Sequence, residues 1–215
     1  LGGHSFGNLF LTALTGVTGD FAEAVRLSSE VLAIRGRIFP STIESVRLEA
    51  RLDDGRWVRG ETRISRSASP IRTVRLRPRR VRPLPEVLEA IRRADLILIG
   101  PGSLYTSVIP SLLVSGVAEA IRASAALRVY ISNLMTQPGE TTGYAASNHV
   151  QALAEHFGPG LIDWVVLNGR APSPRMARRY RAQGAIPVRP DVERIEAMGC
   201  RCLVADLIEE GEVIR

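Results

Sequence analysis

Three stretches of small polar residues, each following a short apolar run, hold most of the groups able to do chemistry. Gly100-Pro101-Gly102-Ser103-Leu104-Tyr105-Thr106-Ser107 follows Asp95–Ile99, residues 132–142 follow Leu127–Ile131, and Asn168-Gly169-Arg170 follows Asp163–Leu167. In the first, Gly100 and Gly102 allow a tight turn and close backbone approach to a ligand. Ser103, Thr106 and Ser107 put hydroxyls near a helix amino end, where free N–H groups and the dipole favour an anion. That chemistry is phosphate binding. The competing reading is a plain strand-to-helix turn capped by Ser103, and the loop by itself does not decide between them. It is not a G-x-G-x-x-G fingerprint, since no glycine stands three residues beyond Gly102. The second stretch is long for a βα loop and polar around Met135, which suits a binding loop. Its plain alternative is a surface loop stiffened by Pro138. Asn133 suits hydrogen bonds to a base, ribose or sugar. Glu140 is the loop's one acid and has no visible partner for acid–base work. Gly2-Gly3-His4-Ser5-Phe6-Gly7-Asn8 opens a helix and offers another phosphate-facing terminus, with His4 as base or donor. Ser5 as an N-cap and His4 as a capping or surface histidine fit equally well.

Several chemistries are disfavoured. All 28 basic residues are Arg, so these residues hold no Lys for a Schiff base, a GKS/GKT phosphate loop or a tuned base. No G-x-S-x-G elbow occurs and no Cys stands beside a His. Cys200 and Cys202 are too few ligands for zinc and lack C-x-x-C redox spacing. Cys202 opens the apolar run Cys-Leu-Val-Ala and reads as one buried thiol. No clustered carboxylates suggest a metal site. His149 and His156 stand seven apart on one helix face, too far for i, i+4 ligation, and read as solvent-facing or interface residues.

The elements that must position these groups follow from period and punctuation. Residues 5–17 read as a helix, and Asp20-Phe21-Ala22-Glu23 resembles a capping box opening a second helix that ends near Gly36. Strands at 44–52 and 56–64 flank Asp53-Asp54-Gly55, a hairpin signal, and a third covers 71–77. Pro85 suits the first position of a helix through Arg93. The pattern then alternates. The apolar runs 95–99, 127–131 and 163–167 are separated and followed by helical stretches at 111–124, 147–157 and 174–183, the signature of parallel strands covered by helices. The expected fold is α/β, a Rossmann-like three-layer arrangement with a mainly parallel sheet and an antiparallel hairpin lobe inserted at 44–78. In such a sheet the three loops emerge together on the carboxyl edge, where ligands bind.

At 215 residues, 45% hydrophobic and 23% charged, the chain has the mass of a globular domain. No apolar run approaches the roughly 18 residues of a membrane helix. Two cysteines suit a reducing, cytoplasmic setting. The chain starts at Leu1 and reads as part of a longer sequence, with no cleavable leader expected. Charge is uneven: residues 47–93 hold 14 Arg against 6 acids, and the rest 14 Arg against 16. In Val46–Leu52 the charges alternate strictly with apolar residues, as on the solvent face of a half-buried strand. With Trp57 the only aromatic nearby, a solvated face is preferred to nucleic-acid binding, and an acidic partner or polyanion stays open.

The run from Asp95 to Arg122, followed by Ile131 to Val150, strongly resembles the YvcK/CofD family. Gly3-His-Ser-Phe-Gly-Asn-Leu9 is similar to its G-H-S-x-G-N-L segment, and the Asp20–Pro40 helix and Asp-Asp-Gly hairpin also fit. The resemblance covers essentially the whole chain. Asn-Leu-Met-Thr-Gln-Pro-Gly-Glu-Thr (133–141) resembles the YvcK branch, the gluconeogenesis factors. The resemblance implies a Rossmann-like bacterial cytoplasmic protein that binds nucleotides, in particular UDP-sugars such as UDP-N-acetylglucosamine. It further implies a link to cell shape, cell-wall precursor supply and gluconeogenic growth, with no reaction or cofactor firmly attached. The CofD branch implies instead a 2-phospho-L-lactate transferase acting on a guanylylated donor and a deazaflavin, with magnesium. A homo-oligomer is expected in either case.

Carried over residue by residue, the resemblance places Gly3, His4, Gly7, Asn8, Gly100, Gly102, Ser103, Thr106, Asn133, Thr136 and Gln137 at a ligand cleft. It adds Tyr180 as a base-stacking tyrosine and Arg215 as a diphosphate partner, with no catalytic residue and no metal ligand. Two departures stand out: Thr142 and Asn148 occupy positions where the family pattern has Asp. The family's Gly-Gly-Thr-Gly loop and its Asp-Asp-Gly-Gly-Ser segment, expected in a preceding stretch, are not among these residues.

Overall fold

A computed structural model describes residues 6–31 and 36–211. Helices α1 (Phe6–Thr18) and α2 (Phe21–Val31) pack on each other. Asp20 Oδ1 accepts the Glu23 N–H at 2.8 Å, the first half of the expected capping box. The stretch of the second helix expected beyond Val31 lies partly outside the described residues.

Strands β1 (Arg47–Leu52), β2 (Trp57–Arg59) and β3 (Ile71–Arg77) form an antiparallel sheet in the order β2-β1-β3. The strand expected over 56–64 stops at Arg59. Gly60 takes φ +86°, and its carbonyl accepts from the N–H of Arg63 and of Ile64, starting the one-turn helix α3 (Glu61–Ile64) that buries Ile64. Leu52, Val74 and Leu76 point into the core. The register puts Arg47, Glu49, Arg51, Trp57, Arg59, Arg75 and Arg77 on the opposite face.

After α4 (Pro85–Arg93, with Pro85 in its first turn) the chain alternates. Strands β4 (Leu96–Ile99), β5 (Leu127–Ile131), β6 (Trp164–Asn168) and β7 (Arg201–Ala205) form a parallel sheet in sequential order. The helix expected over 111–124 starts earlier, as a π-helical turn at Leu104–Val108 running into α5 (Ile109–Leu112). It breaks at Gly116 (φ +83°) before α6 (Val117–Ala123). Helix α7 (Ala146–Phe157) buries Ala146, His149, Val150 and Leu153 at helical spacing. Helices α8 (Pro174–Ala182) and α9 (Val192–Ala197) precede β7.

One core joins both sheets: Leu52, Ile64, Val74, Ile99, Tyr130, Leu153, Val165 and Leu167 belong to one buried cluster. It fills one side of the parallel sheet. On the other side the register aligns Leu96, Leu98, Leu127 and Leu203, each about half exposed. Among the described residues no single helix is long and apolar enough to cross a membrane. Leu104–Leu112 and Val117–Ala123 meet that test only together, bent by 72°, and Leu104, Ile109, Val117 and Ile121 are buried in the core.

Three sequence expectations fail here. His149 is 0% exposed, and the His156 ring is half-buried against β3. His156 Nε2 accepts the Val74 N–H at 3.0 Å and contacts Thr73 Oγ1 at 3.2 Å, so its proton sits on Nδ1 and is donated to the Ala152 carbonyl at 2.7 Å. Helical spacing places both histidines on one face, but the fold turns that face inward. Glu49 shares the outer sheet face yet is 3% exposed, covered by Arg59, Arg75 and Arg77 from the flanking strands. The buried thiol is Cys200, whose Sγ lies 3.5 Å from the Ile162 carbonyl; Cys202 is half-buried.

Candidate functional site

The site begins where β4 and β5 end. Gly100 has φ +81°, and a Cβ there would lie 3.1 Å from the Ile131 carbonyl oxygen, so the close approach of the two strand ends requires glycine. The Ser103 carbonyl accepts the N–H groups of Ser107 and Val108, both at 2.9 Å, which opens the π-helical turn. Ser103 does not cap that turn with its side chain. Its Oγ instead receives the Gln137 side-chain amide at 2.7 Å. Asn133 Nδ2 donates to the Gly102 carbonyl at 3.0 Å. The two polar loops are therefore stitched together by carboxamides.

Glu140 makes the second connection. It is 5% exposed. Its Oε1 accepts from Thr106 Oγ1 at 2.8 Å and from Ser65 Oγ at 3.1 Å, and its Oε2 faces the Tyr105 N–H at 3.3 Å. The partner invisible in sequence is thus a set of neutral donors from both the 100–108 loop and the antiparallel lobe. Gly139 allows this seating, because a Cβ there would collide with the Ser65 carbonyl, and its φ of +82° also favours glycine.

Beneath the loops lies a neutral aromatic floor. Tyr105 and Tyr144 join hydroxyls at 2.9 Å, and their rings meet His156 and His149 edge-on. Burial pushes the phenols of Tyr105 and Tyr130 far up and the two imidazoles down, so all four are uncharged near neutral pH. The Asn133 Oδ1 and Gln137 Oε1 atoms are buried without a hydrogen-bond partner. A buried carbonyl oxygen left unpaired is costly, and these two acceptors lie beside donors already committed to the neighbouring loop.

The structure thus brings Gly100, Gly102, Ser103, Thr106, Asn133 and Gln137 into one cluster. Thr136 is 2% exposed and turns elsewhere: its N–H donates to the Ile186 carbonyl at 2.8 Å, and its Oγ1 accepts the Ile186 N–H at 3.0 Å. This pairing, with Val188 N–H to Leu134 O, ties the strip after α8 to the second loop. Tyr180 stands half-buried near the end of α8, and its carbonyl accepts from Gln183 and Ala185 at the start of that strip. Gly7 is exposed in the first turn of α1, and Asn8 lies beside it in the helix. Gly3, His4 and Arg215 lie outside the described residues.

The two departures from Asp keep an acceptor in place. Asn148 Oδ1 accepts the Ala145 N–H at 2.8 Å at the start of α7, and Thr142 Oγ1 faces the Gly139 N–H at 3.3 Å. Sequence reading missed Ser65, Tyr144 and Asp191. Asp191 anchors the start of α7 by accepting from Ser147 N–H at 2.9 Å and Ser147 Oγ at 2.5 Å. Its 44-residue separation from Ser147 left no local signal.

The family model for "2-phospho-L-lactate transferase CofD" matches residues 1–208. The chain belongs to the CofD family. Within it, the chain is 45% identical to the protein named gluconeogenesis factor of Halalkalibacterium halodurans, over all of this chain and 67% of that protein. It is also 45% identical to the gluconeogenesis factor of Bacillus subtilis, over all of this chain and 68% of that protein. A crystal structure of a UPF0052 family member from Bacillus halodurans superposes with a TM-score of 0.93 at 45% identity, covering 99% of this chain and 69% of that one. The chain spans about two thirds of the length of these CofD-family relatives.

Proposed function

We propose that this CofD-family chain binds a nucleotide-sugar, of which UDP-N-acetylglucosamine is the model ligand, and acts as a regulator of cell-wall precursor supply, cell shape and gluconeogenic growth. The observation that carries this reading is the pair of buried, unpartnered carboxamide oxygens on Asn133 and Gln137. Each residue spends its amide N–H on the facing loop and keeps an acceptor for a ligand donor. Ribose and sugar hydroxyls and the imide N–H of a uracil are such donors. Ser103 and the glycine turn at 100–102 supply the neighbouring backbone and hydroxyl contacts. The relatives' name, gluconeogenesis factor, supports the gluconeogenic part of the regulatory reading.

A second reading, transfer of a phospholactyl-type group, draws support from the family model's own description. Magnesium would belong to that reading. Among the described residues, no group of three or more His, Cys, Asp or Glu could hold a metal ion, and the oxygens of Glu140 are engaged by three donors. The described residues by themselves present no carboxylate cluster for the ion.

Isothermal titration with UDP-N-acetylglucosamine, UDP and GTP, with and without magnesium, separates the readings. Binding that needs uridine and is followed by no product on long incubation is the expected result. Preference for GTP with transfer to a deazaflavin would overturn it.

A further inference from the structure

The antiparallel sheet has two free edges, and the fold treats them differently. At the β3 edge the outward Val74 N–H is taken by His156 of α7. Among the described residues no strand pairs with the outer side of β2. The ladder bonds use Arg56, Val58 and Gly60 (Leu52 N–H to Arg56 O, Gly60 N–H to Leu48 O, and the Ala50–Val58 pair). By antiparallel alternation, Trp57 and Arg59 turn their N–H and C=O groups outward. A groove of about 760 Å³ at this edge is lined by Val58, Arg56, Trp57, Arg59, Arg63 and Arg66 among others. Arg56 pairs with Asp54 and Arg59 with Glu49. Arg63 and Arg66 have no carboxylate within ion-pair distance among the described residues.

We propose that the open β2 edge and its arginine groove dock an extended acidic segment of a partner protein, which adds as a fourth strand beside β2 and places carboxylates on Arg63 and Arg66. Two features favour a peptide over a nucleic acid. The edge offers donors and acceptors together, which an extended peptide backbone matches and a phosphodiester backbone, lacking donors, does not. The one aromatic of the groove, Trp57, carries the Arg75 guanidinium 3.6 Å from its ring centre, so that face is closed to base stacking. Guanidinium forks suit carboxylates in two-point contact, and alternate residues of a strand present side chains to one face at the spacing of the sheet.

The test uses the protein with Trp164→Phe, so that fluorescence reports Trp57 alone. The probes are a labelled twelve-residue peptide of alternating Glu and Val, its Gln-Val counterpart, and single-stranded dT12. Expected are saturable binding of the Glu peptide with a change in Trp57 emission, at least tenfold weaker binding in Arg63→Glu/Arg66→Glu, and weakening by 0.5 M salt. A Val58→Pro variant keeps every charge but distorts the edge, and it is expected to lose binding as well. Far-ultraviolet circular dichroism identical to the parent confirms that each variant is folded; an unfolded variant is replaced by Arg63→Gln/Arg66→Gln or by Val58→Thr with N-methylated probe peptide, whose blocked N–H groups are expected to abolish binding. Equal binding of dT12, or equal binding of the Glu peptide by the charge-reversed protein, would overturn the proposal.

Discussion

Glu49 and Glu140 are both buried carboxylates, and they are held by opposite means. Glu49 lies in the antiparallel sheet, where strand register alone delivers Arg59 at 2.9 Å, Arg75 at 2.8 Å and Arg77 at 3.2 Å. The Arg75 guanidinium, with help from Arg77, holds its carboxyl below the usual range against the opposing effect of burial. Glu140 has no cation within ion-pair distance among the described residues and is held by the hydroxyls of Ser65 and Thr106 and the N–H of Tyr105. The first cluster is local to one sheet and leaves a basic surface. The second joins three segments distant in sequence and fixes the loops at the carboxyl edge. A charge network here marks a surface, and a network of neutral donors marks the candidate site.

The largest effect that would sharpen this contrast is expected from Gly139→Ala, which drives a methyl into the Ser65 carbonyl and forces an unfavourable φ. It should cost about 3 kcal/mol or more in urea unfolding, while the Glu49 cluster stays intact. Glu140→Ala should cost about 2–3 kcal/mol, because it strands the Thr106 hydroxyl and the Tyr105 N–H while the Ser65 hydroxyl can turn to the Glu61 carbonyl at 3.0 Å, and Glu140→Gln less, because an acceptor remains. Neither loss should change much with salt. Glu49→Ala leaves three guanidinium groups without their shared carboxylate, and its cost should depend on salt more than that of Glu140→Ala, because Arg59 and Arg77 are more than half exposed. Salt-insensitive damage at Glu49, or salt-sensitive damage at Glu140, would break the comparison.

The smallest predicted effect concerns the second tie between lobe and α7. Burial lowers the pKa of His156 and of His149. As pH falls below about 6.5, the unfolded chain takes up protons that the folded chain resists, so stability present at neutral pH is lost on acidification. Each such group contributes a slope of at most about 1.4 kcal/mol per pH unit. His156→Gln should remove its share of the slope between pH 6.5 and 5, measured by urea unfolding at each pH. An unchanged slope would show that His156 takes up protons alike in the folded and unfolded chain.

Much of the fold was legible because β4, β5 and β6 are continuous apolar runs, and the Asp53-Asp54-Gly55 turn is a strong local signal. β7 was not, because the apolar run 202–205 is too short for its period to separate a strand from a buried helix segment until β6 pairs with it. The break at Gly116 was hidden inside an otherwise helical pattern. At the site, glycines and small donors announced the loops, but the direction of each side chain depended on contacts across them. Ser103 reads as a phosphate contact or a cap, and its Oγ receives the Gln137 amide; Thr136 reads as a ligand contact, and its Oγ1 accepts the Ile186 N–H. Ser65 lies 75 residues from Glu140, so nothing local could connect them.

Acceptance of nucleotide-sugar donors by Asn133 and Gln137 is tested most directly by titrating UDP-N-acetylglucosamine into the protein and into Asn133→Ala and Gln137→Ala, each checked by circular dichroism to be folded. Saturable binding to the parent and at least tenfold weaker binding in each variant are expected, about 1.4 kcal/mol per lost acceptor. Undiminished affinity in both folded variants, or no binding to the parent, would contradict it.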